Sequence, residues 1–223
     1  MLYENQIPRP CCHRFYQNPH QMKLKVCGMR SPDNIFALSQ LAPDYMGFIF
    51  WEDSKRFVNA PTPHLPNTIK KTGVFVDASL DYIKDIATRH QLQTLQLHGS
   101  ESPDFCQKLK TTELEIIKAF GVGSNFDFSV LKPYESVCDY FLLDTKGELP
   151  GGNGSSFEWS LLRDYPGTKP FFLSGGIGPK DQDAISSIIN LNLPIYAIDI
   201  NSKFEIEPGK KNIELIKHFK ATL

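Results

Sequence analysis

Residues 170–178 read Pro-Phe-Phe-Leu-Ser-Gly-Gly-Ile-Gly, an apolar run closing in a serine and a glycine-rich turn, with Pro179 and Asp181 opening a helical stretch after it. The runs YMGFIF (45–50), YFLL (140–143) and IYAIDI (195–200) are built the same way. They are nearly continuous in apolar residues, as parallel strands are when both faces are covered. Working outward from these runs, one rhythm repeats from Met22 onward, a short β-rich run followed by an amphipathic stretch. Strands are expected at 24–27, 45–50, 73–76, 94–97, 116–120, 140–143, 170–174 and 195–200. Helical spacing appears in Leu80, Ile83, Ile86 and Ala87, in Ile185, Ile188 and Ile189, and in Ile213, Ile216 and Phe219. Helices are weak after strand two, where Pro61, Pro63 and Pro66 crowd the connection, and after strand five, where little more than a turn follows Gly121. Eight such units at about 25 residues each match a compact TIM barrel, (β/α)8. An open doubly wound sheet requires a phosphate loop after strand one, and Gly28-Met29-Arg30 carries no G-x-G-x-x-G. The expectation is a single (β/α)8 barrel over 22–223.

The first 21 residues break the rhythm, with Pro8, Pro10, Pro19 and no apolar period. Cys11, Cys12, His13 and His20 are metal-donor types, but adjacent cysteines fit one tetrahedral site poorly. Residues 1–21 are therefore read as a disordered or non-native tail, with the ordered protein starting at Met22. Lys plus Arg (24) against Asp plus Glu (25) leave a net charge of -1, without the positive field that nucleic acid or an anionic membrane requires. No apolar run approaches the ~20 residues of a membrane span, and no signal-peptide pattern precedes the short ones. Five cysteines without a C-x-x-C pair support neither a disulfide framework nor a zinc ribbon. The six histidines show no H-x-H or H-x-x-x-H pairing, so no metal or cofactor is expected. These features describe a reduced, soluble, cytoplasmic protein.

In a barrel of this kind the reactive groups stand at the C-terminal strand ends, here Cys27, Phe50, Asp77, His98, Phe120, Asp144, Ser174 and Asp199. A free cysteine on a buried strand is most often inert packing, whereas a thiol of lowered pKa is a base or nucleophile. Asp144 closes the run FLLD; it reads either as a loop cap or as an acid whose pKa a semi-buried mouth raises. Strands one and six lie three places apart, which puts Cys27 and Asp144 across the mouth from one another, the base and acid of an isomerase. The turn Ser174-Gly175-Gly176-Ile177-Gly178 alone is only a turn. After strand seven it is a phosphate cradle, completed by Asn201 and Ser202 after strand eight. The stretch Leu149-Pro150-Gly151-Gly152-Asn153-Gly154-Ser155-Ser156 lacks the Lys-Ser/Thr ending of a nucleotide loop, and is a connector or a lid. Arg56, in Asp53-Ser54-Lys55-Arg56, is either solvated or placed to grip a carboxylate bidentately. The ligand these features describe is a phosphorylated small molecule.

The motifs Lys25-Val26-Cys27-Gly28-Met29, Gly47-Phe48-Ile49-Phe50, Ser54-Lys55-Arg56-Phe57-Val58, Gly73-Val74-Phe75-Val76, Gln96-Leu97-His98-Gly99, Leu143-Asp144-Thr145, Gly151-Gly152-Asn153-Gly154, Ser174-Gly175-Gly176 and Pro208-Gly209-Lys210 fall in one order. In that order the chain resembles phosphoribosylanthranilate isomerase from Met22 to about His218. The resemblance implies an Amadori rearrangement in tryptophan biosynthesis, from N-(5-phosphoribosyl)anthranilate to 1-(2-carboxyphenylamino)-1-deoxyribulose 5-phosphate. It implies Asp144 as the general acid that opens the furanose ring and Cys27 as the general base that takes the proton from sugar carbon 2. It also implies Arg56 on the anthranilate carboxylate and Gly175, Gly176, Asn201 and Ser202 on the phosphate. His98 and Asp199 fall in family motifs at the mouth, and Gly151, Gly152, Asn153 and Gly154 in the lid. Asn153 and Ser155 stand where the family commonly has Thr and Lys, and Asn201 and Lys203 where it has Ser and Gly.

Two sister barrels fit less well. The histidine-pathway isomerase uses aspartates at the ends of strands one and five, which here are Cys27 and Phe120, and indole-glycerol-phosphate synthase needs a lysine acid among the strand ends. The alternative of another class is a non-catalytic barrel that binds a phosphorylated small molecule. The expected partner is the small-molecule substrate, with no nucleic acid or membrane, and the assembly a monomer or homodimer.

Overall fold

The computed structural model describes residues 22–145 and 159–223. The 1–21 tail reading and the Gly151–Gly154 lid reading both lie outside the described residues. Eight parallel strands close on themselves: β1 (Lys23–Val26), β2 (Tyr45–Ile49), β3 (Lys70–Phe75), β4 (Thr94–Leu97), β5 (Glu115–Val122), β6 (Tyr140–Thr145), β7 (Phe171–Ser174) and β8 (Ile195–Ile200), with β8 paired back onto β1. The expected barrel is the observed one. Outside it run α1 (Pro32–Ser39), α2 (Leu80–His90), α3 (Pro103–Leu109), α4 (Gln182–Ile189) and α5 (Ile213–Lys220). Their starts follow from local chemistry. Ser79 accepts from the Tyr82 amide, Ser102 from Phe105 and Asn212 from Leu215, each satisfying a donor that a helix N-terminus leaves free.

Among the described residues three connections carry no α-helix: the one after β6, where Trp159–Asp164 form a 3-10 turn, and two in which prolines interrupt the chain. Between β2 and β3 there is no helix at all: a proline cannot donate into an α-helical ladder, and the residue before each one is held extended. The chain instead lies along the end of β2, the Val58 amide donating to the Ile49 carbonyl at 2.9 Å. After β5, residues Phe128–Tyr134 form a 3-10 turn containing Pro133. A hairpin of β9 (Glu205–Glu207) and β10 (Lys210–Lys211) stands between β8 and α5. It was not expected from the sequence.

The period of two along each strand sorts the interior into layers. At the floor, Tyr45, Ile117, Leu142, Phe172 and Ala197 are buried together, with Tyr140 and Tyr196 packed against them. Tyr196 is an extra residue in β8: Phe171 pairs with Ile195 and Phe172 with Ala197, and this bulge brings the Tyr196 ring onto Tyr140 at 4.3 Å. Phe172 meets Tyr45 edge-on at 5.2 Å. Each such ring buries apolar surface worth on the order of 2–3 kcal/mol, and the edge-on contacts add about 0.5–1.5 kcal/mol each. The floor is filled, and open space begins above it.

Candidate active site at the C-terminal mouth

Above the floor lies a cavity of about 210 Å³ lined by Cys27, Gln96, His98, Asp144, Asp199 and the Ser174–Ser202 side of the mouth, including Gly175, Gly176 and Asn201. Of the eight strand-end residues, Cys27, His98, Asp144, Ser174 and Asp199 line it; Phe50, Asp77 and Phe120 do not. Parity explains two of the exceptions. Ile49 faces inward, so Phe50 points outward, where it stacks on Phe75; Phe120 likewise turns onto Phe141. Asp77 lies beyond the end of β3 and accepts from the Ser100 amide and hydroxyl instead. Ile49 and Val74 fill the β2 and β3 sides of the cavity wall.

Cys27 directly follows β1, its amide donating to the Ile200 carbonyl at 2.9 Å. It is buried, and a Cβ at Gly47 would fall 2.7 Å from its Sγ, so the glycine of β2 is what leaves the thiol its room. Lys25 lies two residues below on the same face and pairs with Asp199 of β8, its Nζ 2.9 Å from both carboxylate oxygens. Both partners are buried. Burial raises the Cys27 thiol above its ordinary value, the opposite of the lowered pKa expected of a base; the Asp199 carboxylate adds to the rise, and the Lys25 and Lys211 ammoniums offset it only in part. Burial likewise raises Asp199 against the pull of Lys25, with Asp144 adding to the rise.

Across the mouth, Asp144 of β6 stands with its Oδ2 3.6 Å from Nε2 of His98. The other ring nitrogen of His98 lies 2.7 Å from the Gln96 amide, which fixes the ring's orientation. The turn that follows is held from below: Glu101 accepts from the Gly99 and Asp77 amides and is itself paired with Lys118 at 3.1 Å, both side chains buried. Gln96, buried with its Oε1 unpartnered, is one group the strand-end reading missed; the polar residue two places before His98 was the available signal.

Beyond β7 the backbone itself is exposed to the cavity. Gly175 and Gly176 have φ of 108° and 61°, the left-handed region, and a Cβ at Gly175 would lie 2.0 Å from the Thr145 carbonyl. Only glycine fits there. Asn201 and Ser202, just after β8, close the same side. On this side the cavity is therefore edged by backbone without side chains at Gly175 and Gly176.

Arg56 is brought to the rim by the loop lying on β2. Its side chain lies over Gly28, where a Cβ would be 2.6 Å from the Arg56 Cδ. Its guanidinium is paired bidentately with Glu205 in the unexpected hairpin, Nε to Oε1 at 2.8 Å and Nη2 to Oε2 at 2.6 Å. Among the described residues no three His, Cys, Asp or Glu side chains converge as metal ligands.

A closed parallel barrel with a thiol, a carboxyl and a glycine turn lining the cavity at its C-terminal mouth has the architecture of a (β/α)8 enzyme. Comparison with known proteins gives the family. Residues 24–222 match the family model of N-(5'-phosphoribosyl)anthranilate isomerase, and the chain belongs to that family. It is 46% identical over 205 residues to the N-(5'-phosphoribosyl)anthranilate isomerase of Parabacteroides distasonis, covering 89% of this chain and 91% of that one. Among solved structures, the phosphoribosyl anthranilate isomerase of Thermotoga maritima superposes with a TM-score of 0.75 at 32% identity, covering 89% of this chain and 97% of that one. A phosphoribosyl anthranilate isomerase in complex with reduced 1-(o-carboxyphenylamino)-1-deoxyribulose 5-phosphate gives 0.74 at 29% identity, covering 91% and 98%.

Proposed function

We propose that this protein isomerises N-(5'-phosphoribosyl)anthranilate to 1-(2-carboxyphenylamino)-1-deoxyribulose 5-phosphate, the family's step in tryptophan biosynthesis, with Asp144 as general acid and Cys27 as general base. The observation that carries the reading is that Cys27 and Asp144 line one cavity with the Gly175–Gly176 turn at its edge. The substrate's phosphate rests on the Gly175, Gly176, Asn201 and Ser202 backbone, and its anthranilate carboxylate meets Arg56. With both ends fixed, the sugar lies between the two proton-transfer groups. Asp144 delivers its proton to the ring oxygen as the C1–O bond breaks, leaving a Schiff base at carbon 1. The Lys25 and Lys211 ammoniums favour the thiolate form of Cys27 against its burial; that thiolate takes the proton from carbon 2, and the electron pair moves into the enolamine, which tautomerises to the ketone. His98 orients Asp144, and Asp199 holds Lys25 beneath Cys27. Fixing both ends draws on the ~7–11 kcal/mol available at best from proximity, and each proton-transfer group adds roughly 10²–10⁴-fold.

The lid role of Gly151, Gly152, Asn153 and Gly154 remains part of the same reading. So does a cytoplasmic setting, supported by Cys27, Cys106 and Cys138, which are free thiols in the interior. The test is to generate phosphoribosylanthranilate in situ and follow loss of its anthranilate-type fluorescence on adding the purified protein. Decay well above spontaneous breakdown, with the ribulose phosphate identified as product, is the expected result. A folded protein that binds a product analogue without accelerating the decay is a non-catalytic phosphate-ligand barrel instead.

A further inference from the structure

Arg56 does not reach the mouth as an isolated cation. Glu205 holds it through two hydrogen bonds, and both lie on the guanidinium edge formed by Nε and Nη2, leaving Nη1 out of the pair. Glu205 is in turn fixed by two more donors on Oε1, the Lys211 ammonium at 2.7 Å and the Gly209 amide at 3.1 Å. Lys211 is buried at 1% exposure and also donates to Oδ1 of Asn201 at 2.7 Å and to the Asn201 carbonyl at 3.3 Å. One buried lysine therefore touches both the carboxylate that aims Arg56 and the residue that closes the phosphate side of the cavity. Gly28 leaves the space in which this cluster meets, since a Cβ there would lie 2.6 Å from Arg56 and 2.7 Å from Asn201. The cluster holds two cations and one carboxylate, and its net positive charge faces both the rim and the Cys27 thiol.

We propose that Glu205 and Lys211 are positioning residues for substrate recognition: Glu205 aims the free edge of Arg56 at the aromatic carboxylate, and Lys211 locks that aim to the phosphate side through Asn201. The inference rests on the reading of Arg56 as the carboxylate clamp. A charged pair of this geometry orients its partner because a bidentate guanidinium–carboxylate contact fixes direction as well as distance. The net positive charge of the cluster attracts the incoming carboxylate to the edge of Arg56 that Glu205 leaves free. The hairpin of β9 and β10 exists, on this view, to deliver Glu205 and Lys211 to one point from opposite strands.

The experiment uses two probes, the reduced product analogue 1-(2-carboxyphenylamino)-1-deoxyribulose 5-phosphate and the same compound without the ring carboxylate, with dissociation constants measured for the wild type, Arg56→Met, Glu205→Gln and Lys211→Met. The wild type and Arg56→Met test the underlying reading: the wild type prefers the carboxylated probe, and Arg56→Met abolishes that preference. If Arg56→Met keeps it, the clamp reading itself is wrong. Given that loss, Glu205→Gln is expected to reduce the preference by about tenfold or more while binding the probe without carboxylate within about threefold of wild type. Lys211→Met is expected to reduce the preference and also to weaken the probe without carboxylate by about tenfold, through Asn201. A Glu205→Gln variant that keeps the wild-type preference, or that weakens both probes equally, overturns the inference while leaving the Arg56 reading intact. If Glu205→Gln fails to fold with the buried Lys211 and the half-buried Arg56 unbalanced, Glu205→Gln combined with Lys211→Met removes both charges together, and the same loss of preference is required of it.

Discussion

The floor and the mouth of this barrel are made by the same strands, a few residues apart, and they are built on opposite principles. At the floor, Tyr45, Tyr140, Phe172 and Tyr196 fill the interior ring against ring. At the mouth the inward positions of those strands become Gly47, Asp144, Ser174 and Asp199, and space replaces packing. Charge follows the same division. Lys25 with Asp199, and Arg56 with Glu205 and Lys211, are desolvated ion pairs whose Coulomb gain is offset by the cost of burial. A stability function alone is better served by apolar residues of the same volume. The floor holds the barrel together, and the mouth spends part of that stability on oriented charge.

That contrast can be broken by substitutions which exchange the two effects. The largest separation is expected from Phe172→Ala, which removes a fully buried ring and three of its aromatic neighbours' contacts. It should lower unfolding free energy by about 3–5 kcal/mol in denaturant titrations, while the fraction still folded turns over at the wild-type rate. Loss of turnover in the folded fraction would merge floor and mouth into one unit.

Gly47→Ala places a methyl 2.7 Å from the Cys27 sulfur, so the thiol must give way by about 1 Å; a shift of that size costs on the order of 10²-fold in kcat/KM, measured in the fluorescence assay, with less effect on unfolding than Phe172→Ala. Activity within a few-fold of wild type would show that the thiol is not positionally constrained.

Lys71 sharpens the contrast from outside the barrel. It is buried under the proline-rich β2–β3 connection, its ammonium donating to the Pro63 carbonyl, and burial brings its pKa down to about 8. The unfolded chain therefore binds more protons between about pH 8 and 10.5, and the wild type gains stability as pH rises through that window. Lys71→Met should raise the unfolding free energy by roughly 1–3 kcal/mol below pH 8, and the advantage should shrink towards pH 10.5. A pH-independent difference would mean that the ammonium is not desolvated. The smallest effect is expected at Tyr45→Phe, which removes a floor hydroxyl bonded to Glu115 and Tyr196 at 3.2 Å each and should cost about 1 kcal/mol with no change in turnover.

Much of this was legible in the sequence because strand ends in a barrel are functional positions and apolar runs mark strands. Run 195–200 is β8 residue for residue, and Cys27, His98, Asp144, Ser174 and Asp199 line one cavity as the strand-end reading required. The same reading placed Phe50 and Phe120 at the mouth because it took the last residue of each run, where the period of two decides which way a side chain points. The three prolines signalled the missing helix after β2 only as a weak one. Lys25 and Lys211 carry no such signal beyond a lysine inside or beside a strand. Glu205 is 149 residues from the arginine it holds, and only the closure of β8 onto β1 brings them together.

The acid–base pair at the mouth is tested most directly by measuring isomerase turnover and thermal unfolding side by side for Cys27→Ala and Asp144→Asn. Each variant should lose about 10³-fold or more of kcat while its melting temperature stays within a few degrees of wild type. Substantial turnover in either variant, at unchanged melting temperature, would contradict the role given to that residue.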